Sequence, residues 1–162
     1  TPTFLQMAGS IMANTNLPPV YHFRVAAACH RAGRMEEMTR ALDFFLSRIP
    51  PDTPPEAFID VTRMYVAAQK VDRASATLEE YLRRRPTDWR AWMDQASLLI
   101  SMSRTNDAVK ALEAAIRIGG TEAFSYVNQN PAFGSIRDEA MRRARNIVGL
   151  PMPEARGQPQ LW

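Results

Sequence analysis

The chain has 162 residues, 46% of them hydrophobic and 23% charged, with a net charge of +3. That is enough apolar material for one elongated core, and no apolar run approaches the ~18 residues of a membrane span. A single cysteine excludes an internal disulfide, and so small a charge surplus does not by itself impose a nucleic-acid role.

Residues 3–13 place Phe4, Met7 or Ala8, Ile11 and Met12 on one helical face, and Leu17-Pro18-Pro19 ends that segment. This N-terminal region, 1–19, reads as a cap, as the remnant of an earlier repeat, or as a helix that folds into a groove. In residues 55–68, Phe58, Val61, Tyr65 and Ala68 fall at helical spacing, as do Ala74, Leu78, Tyr81 and Leu82 in residues 72–85. Arg83, Arg84 and Arg85 close that helix before Pro86, where positive charge complements the helix dipole. Asp88 is the expected N-cap of the helix holding Trp92, and Thr105 or Asn106 that of the next. Gly119-Gly120 then breaks the pattern, and residues 121–128 start a short helix.

Asn130, followed by Pro131, is the expected cap of a last helix. Phe133, Ile136, Ala140, Ala144 and Ile147 give it an apolar face, and Arg137, Arg142, Arg143 and Arg145 an outer one. Gly149 and Pro151 stop it. Residues 150–162, rich in proline and ending in Leu161-Trp162, read as a mobile tail.

A period runs through these elements. Phe58, Thr62, Ala74, Leu78 and Pro86 recur 34 positions later as Trp92, Ala96, Ala108, Leu112 and Gly120. His22, Ala26, Met38, Leu42 and Pro50 precede the middle set by 36 positions, the two extra residues falling in the connector 50–55. Such a period marks stacked helical units, none of which buries its apolar face alone. An insertion in a surface connector costs little closure entropy.

The order aromatic, small residue, alanine, large apolar residue, proline resembles the tetratricopeptide repeat. The copy with Phe58, Thr62, Tyr65, Ala74, Leu78 and Pro86 matches well. The copy with Trp92 has Gly120 where proline is usual, and the first has His22 for the aromatic and Met38 for the alanine. The resemblance implies an all-α, right-handed superhelical stack of antiparallel helix hairpins. Its repeats would span about 20–53, 54–87 and 88–120, with capping helices over 121–149.

The resemblance also implies a concave groove lined by the first helix of each hairpin. Carried over residue by residue, this places Phe23, Ala27 and His30 there from the first repeat. Ile59, Arg63 and Val66 follow from the second, and Met93, Ser97 and Ile100 from the third. Some members of the family grip a terminal carboxylate with lysine and asparagine pairs. Only Arg63 could serve that end here, so an apolar segment, helical or extended, is the expected occupant. Residues 1–17 or 150–162 are the alternative, intramolecular occupants.

Residues with chemistry to offer do not assemble. His22 and His30 are eight apart on one expected helix, about 12 Å at ~1.5 Å per residue, too far to share a metal. The seven glycines are scattered and form no phosphate loop. Cys29 lies on an apolar face beside Ala26 and reads as core. Neither an enzymatic site, nor a metal, nor a cofactor is expected. Eighteen of the twenty cations are arginine, but acids are interspersed and no aromatic stacking pattern accompanies them, which disfavours nucleic acid.

The first residue is threonine, which reads as a cut fragment or processed product, and the arginine-heavy, lysine-poor usage as bacterial in type. The expected role is therefore a non-catalytic protein-interaction or assembly domain of a larger polypeptide. The alternative is a self-occluded structural or regulatory appendage of a catalytic or membrane-embedded region, and a third reading is weak binding of nucleic acid or an acidic surface through Arg83, Arg84 and Arg85 or Arg142, Arg143 and Arg145.

Overall fold

The computed structural model describes residues 3–14 and 16–148. Every regular element there is helical, with no strand among the described residues. Helix α1 spans Phe4–Ala13, α2 Pro19–Arg31, α3 Met35–Ser47 and α4 Pro55–Ala67. Helix α5 spans Val71–Arg84, α6 Trp89–Ser101, α7 Thr105–Gln129 and α8 Arg137–Val148. A 3-10 turn, Pro131–Phe133, precedes α8. The tail expected over 150–162, and the stop at Gly149 and Pro151, lie outside the described residues.

Helix starts repeat at the sequence period. Helix α4 begins 36 residues after α2, and α6 34 residues after α4; α3, α5 and α7 follow the same two intervals. Proline at the first position, Pro19 and Pro55, opens α2 and α4 where a missing N–H costs nothing. Helix α6 is opened instead by Asp88, whose carboxylate accepts from the N–H groups of Arg90 and Ala91 at 3.1 and 3.2 Å.

The turns inside the hairpins are also one structure used three times. After α2, Gly33 (φ +71°) lets the Arg34 N–H donate to the Cys29 carbonyl at 2.9 Å. After α4 the bond is Lys70 to Tyr65, and after α6 Arg104 to Leu99, each at 2.9 Å. These are Schellman caps, which satisfy the orphan carbonyls of a helix end by a left-handed residue. The left-handed residue is glycine only once; Gln69 and Ser103 take φ +58° and +59°.

The chain divides into two compact units, Thr1–Pro86 and Thr87–Trp162. In the first, α2 packs on α3 and α4 on α5. The repeated positions Ala26, Met38, Leu42, Thr62, Ala74 and Leu78 are all buried. Alanine at 26 and 74 lets helix backbones approach, while the leucines fill the groove between them. The Tyr65 hydroxyl of α4 donates to Asp43 of α3 at 2.7 Å, and Arg73 of α5 donates to the same carboxylate at 2.6 Å. Helix α1 adds Ala8 to the buried set and starts with a capping box formed by Thr3 and Gln6.

The second unit has one continuous core. Ala96 and Leu99 of α6 meet Ala108, Leu112 and Ile116 of α7, and Phe133, Ile136, Ala140 and Ala144 close it from the far end. Helix α7 leaves helical geometry only at Gly120 (φ 58°, ψ −136°), so its arms are 105–119 and 121–129. Gly119 keeps helical geometry, and its position has no room for a side chain: a Cβ there would stand 2.7 Å from Cγ of Trp89.

Several expectations need correction. Neither Thr105 nor Asn106 caps α7; the cap position is Arg104, which makes no side-chain capping bond. The preceding Schellman turn has already set the direction of the chain, and the Arg104 guanidinium binds Asp107 instead. Asn130 does cap, accepting from the Ala132 N–H at 3.0 Å, but it opens the 3-10 turn and α8 starts only at Arg137. Trp92 is half-buried against the core, unlike its counterparts His22 and Phe58, which are buried. Of the arginines expected outside α8, only Arg142 is exposed, while Arg137, Arg143 and Arg145 are half-buried. The Arg145 guanidinium lies 5.6 Å over the Phe124 ring.

Candidate functional site

The nine expected groove residues fall in both units, six in the first and three in the second. In the first, Phe23 is half-buried with its ring 5.3 Å from that of Phe45, and Ala27 and Ile59 are half-buried. His30, Arg63 and Val66 are exposed, and Arg63 pairs with Asp60 at 3.5 Å. In the second unit Ser97 is exposed and Ile100 half-buried. Met93 is different: it is only 4% exposed and belongs to the core, because the arm of α7 after Gly120 brings Ala123 and Val127 into the same cluster.

Two concavities stand out, and each contains only one of the expected residues. The first unit has an apolar recess of about 360 Å³ formed by Val20 and Phe23 of α2, Phe45 of α3, Ala57 of α4 and the connector 50–54. The two-residue excess of the first repeat lies in this connector. The second unit has a larger cleft of about 660 Å³ between α6 and the second arm of α7.

That larger cleft is built by local rules. Trp89, Arg90, Met93 and Asp94 project from successive turns of α6, spaced one and four apart, so they share a face. Glu122, Ser125, Tyr126 and Gln129 do the same on the arm after Gly120. The Trp89 and Tyr126 rings meet edge to face at 6.4 Å, and Tyr126 is 54% exposed. The Arg90 guanidinium lies 4.3 Å over the Trp89 ring and donates to Glu122 at 2.8 Å. Gln129 donates to the Ser125 hydroxyl at 3.1 Å. The cleft thus offers aromatic surface and charged groups side by side.

Sequence reasoning missed seven of these eight lining residues. A signal was present, since Tyr126 lies 34 positions after Trp92, in register with the aromatic position of the repeat. The match is limited to that one position, since Asn130, Arg142 and Asn146 stand 34 positions after Ala96, Ala108 and Leu112.

The other reactive groups are structural in their setting. His22 is fully buried, stacked on Phe44 at 4.0 Å, with the Arg48 guanidinium 4.8 Å from the Phe44 ring. Burial, the largest influence, holds its imidazole below the usual range; the Pro18 carbonyl opposes this, the Arg48 charge adds to it and the Ile11 carbonyl opposes it. Burial likewise raises the Cys29 thiol, helped by the Glu37 charge and opposed by Arg34. Among the described residues no group of three or more His, Cys, Asp or Glu side chains is placed to hold a metal.

The arginine runs are engaged within their own units. Arg83 and Arg84 pair with Glu80, Arg85 with Glu56, and Arg84 also lies 4.4 Å over Phe58. Arg142 and Arg143 both bind Glu139, which holds that carboxyl below the usual carboxylate range. Among the described residues, no helix is long and apolar enough to cross a membrane.

No protein-family model matches the sequence, and no curated protein aligns with it.

Proposed function

We propose that this chain is a tetratricopeptide-like helical-repeat domain that binds a partner segment without catalysing a reaction. The single observation that carries the reading is the cleft of the second unit, where Trp89 and the exposed Tyr126 ring face a space large enough for several side chains. Exposed aromatic surface in a preformed concavity is where binding energy concentrates in protein interfaces. The recurring helix starts and Schellman turns support the repeat assignment. So does the burial of small and large apolar residues at the repeated positions. The superhelical stack and its groove belong to this proposal.

The test is capture from the native source with wild-type protein beside Tyr126→Arg and Ile59→Arg variants, each first shown to fold by circular dichroism. A partner held by the wild type and lost with Tyr126→Arg assigns the cleft. A partner lost only with Ile59→Arg assigns the first unit instead. If both variants retain the same partners as the wild type, the proposal fails for these surfaces.

A second reading, occlusion from within, is favoured by α1. Its Ala8 is buried, its Ile11 and Met12 are half-buried, and it packs on α2. Deleting residues 1–17 distinguishes the two: a gain of binding by the shortened chain supports occlusion, and an unchanged partner set with lower stability makes α1 a cap.

A further inference from the structure

We infer that α1 is an acid-released latch: protonation of His22 on α2 frees α1 while the other helices of the first unit stay folded. The inference is independent of what the cleft of the second unit binds.

Geometry carries it. His22 is 0% exposed, and neither of its ring nitrogens makes a hydrogen bond. Phe44 of α3 stacks on the ring at 4.0 Å, and the last turn of α1 brings the Ile11 carbonyl to it. That carbonyl and the one of Pro18 already accept backbone N–H groups, from Asn14 at 3.2 Å and from Tyr21 at 3.0 Å. A buried polar side chain without a partner has given up its bonds to water with nothing in return. The neutral ring bears that cost, and a proton would add a buried charge to it.

The surroundings offer such a charge no counterpart. Helix α1 and the connector to α2 contain no ionisable side chain. Val25 and Ala26, one turn along α2, are buried and apolar. From α3 the charge that acts on His22 is that of Arg48, which has the same sign. Burial first, and the Arg48 charge with it, hold the imidazole below its ordinary 6.5 against the pull of the Pro18 and Ile11 carbonyls. With α1 lifted away, water reaches the ring and its proton affinity returns toward the ordinary value. The closed form is therefore fully favoured above pH 6.5 and loses ground as pH falls below it.

Helix α1 gives way because it is held least. Among its described side chains Ala8 alone is buried, and Met7 is 52% exposed. Its side-chain hydrogen bonds, Thr3 with Gln6 and Ser10 to the Gln6 carbonyl, close on α1 itself. Helix α3, on the other side of His22, buries Met38, Ala41, Leu42 and Phe45 and is tied to α4 through Asp43 and Tyr65. Local opening is drawn from elements with few buried contacts.

The experiment uses the full chain. Amide hydrogen exchange, corrected for its intrinsic pH dependence, is followed helix by helix from about pH 7.5 to 5.5, and the His22 imidazole is titrated by nuclear magnetic resonance over the same range. Protection of α1 is expected to fall by up to about tenfold per pH unit, the limit for one proton, in step with the His22 titration. Helices α3, α4 and α5 should keep theirs. In His22→Phe, which retains a ring for Phe44, the protection of α1 should not change with pH. If that variant does not fold, the agreement of the two wild-type titrations decides.

Protection of α1 that is constant with pH overturns the inference. So does its loss together with α3, α4 and α5, which would make acid unfolding a single event without a latch. An equal loss in folded His22→Phe overturns it as well, by removing His22 as the trigger.

Discussion

The Tyr65 hydroxyl donates to Asp43 at 2.7 Å across the junction of the first two hairpins. It joins α4 to α3, and Arg73 of α5 completes the arrangement from the other side of the carboxylate. The tyrosine ring is buried, so its hydroxyl needs this acceptor.

Tyr65→Phe should therefore cost about 1.5–3 kcal/mol, the range for a hydrogen bond to a charged group. Urea unfolding measures it, and a double-mutant cycle with Asp43→Asn should show that the two losses are not additive. The network also predicts an alkaline limit. Burial, with the Asp43 bond and charge, pushes the Tyr65 phenol well above its ordinary value of 10.0. Its contribution is complete below pH 10 and is lost as pH rises through the folded-state value, because the unfolded chain releases this proton first. Tyr65→Phe should flatten that alkaline loss.

On the acid side the sensitive group is His22. Its folded-state pKa lies below the ordinary 6.5, so on acidification the unfolded chain takes up the proton before the folded one. Stability is complete above pH 6.5 and falls as pH drops below it, with a slope of at most about 1.4 kcal/mol per pH unit for one proton. His22→Phe keeps a ring for Phe44 to stack on and removes the titration. Unfolding curves at about pH 7.5 and 5.5 should differ less for His22→Phe than for the wild type. Equal differences would exclude His22 as the source.

The hairpin turns predict a pair of opposite effects. Gly33 has φ +71° and open space where a Cβ would sit, so Gly33→Ala carries only backbone strain, about 1 kcal/mol. At Gln69 and Ser103 that strain is already present, and glycine there should stabilise by roughly 0.5 kcal/mol each, the relief being partly offset by a freer unfolded chain. Thermal melting of the three single variants checks both signs.

The adjacent glycines of α7 should fail for different reasons. Gly119→Ala places a methyl group 2.5 Å from Cβ of Ala123 and against Trp89, an overpacking that should cost about 1–3 kcal/mol and shift tryptophan fluorescence. Gly120→Ala meets no neighbour but must hold φ 58° with ψ −136°, a region nearly closed to other residues, at about 1–3 kcal/mol. Only the first should be relieved by trimming a neighbour, so Ala123→Gly should partly rescue Gly119→Ala and leave Gly120→Ala unchanged.

The helical elements and the repeat interval were legible because the signals behind them are local. Asp88 as a cap and the apolar spacing around Ala74 and Leu78 each act within a few residues. The left-handed turns at Gln69 and Ser103 were not, since neither residue type announces that geometry. Met93 was assigned to an open face because its cover comes from residues 30 or more positions later, Ala123 and Val127, after a reversal at Gly120. The cleft was hidden for the same reason: it exists only where two helical faces distant in sequence are brought side by side.

The shared turn has a consequence for how such a chain changes over generations. Since α5 and α7 start 34 residues apart behind turns of the same form, a duplicated or deleted stretch of that length rejoins the chain at matching geometry. Length can then vary by whole hairpins through unequal recombination, with no new loop to invent. What must drift to give each copy its own role is the handful of side chains on its open face.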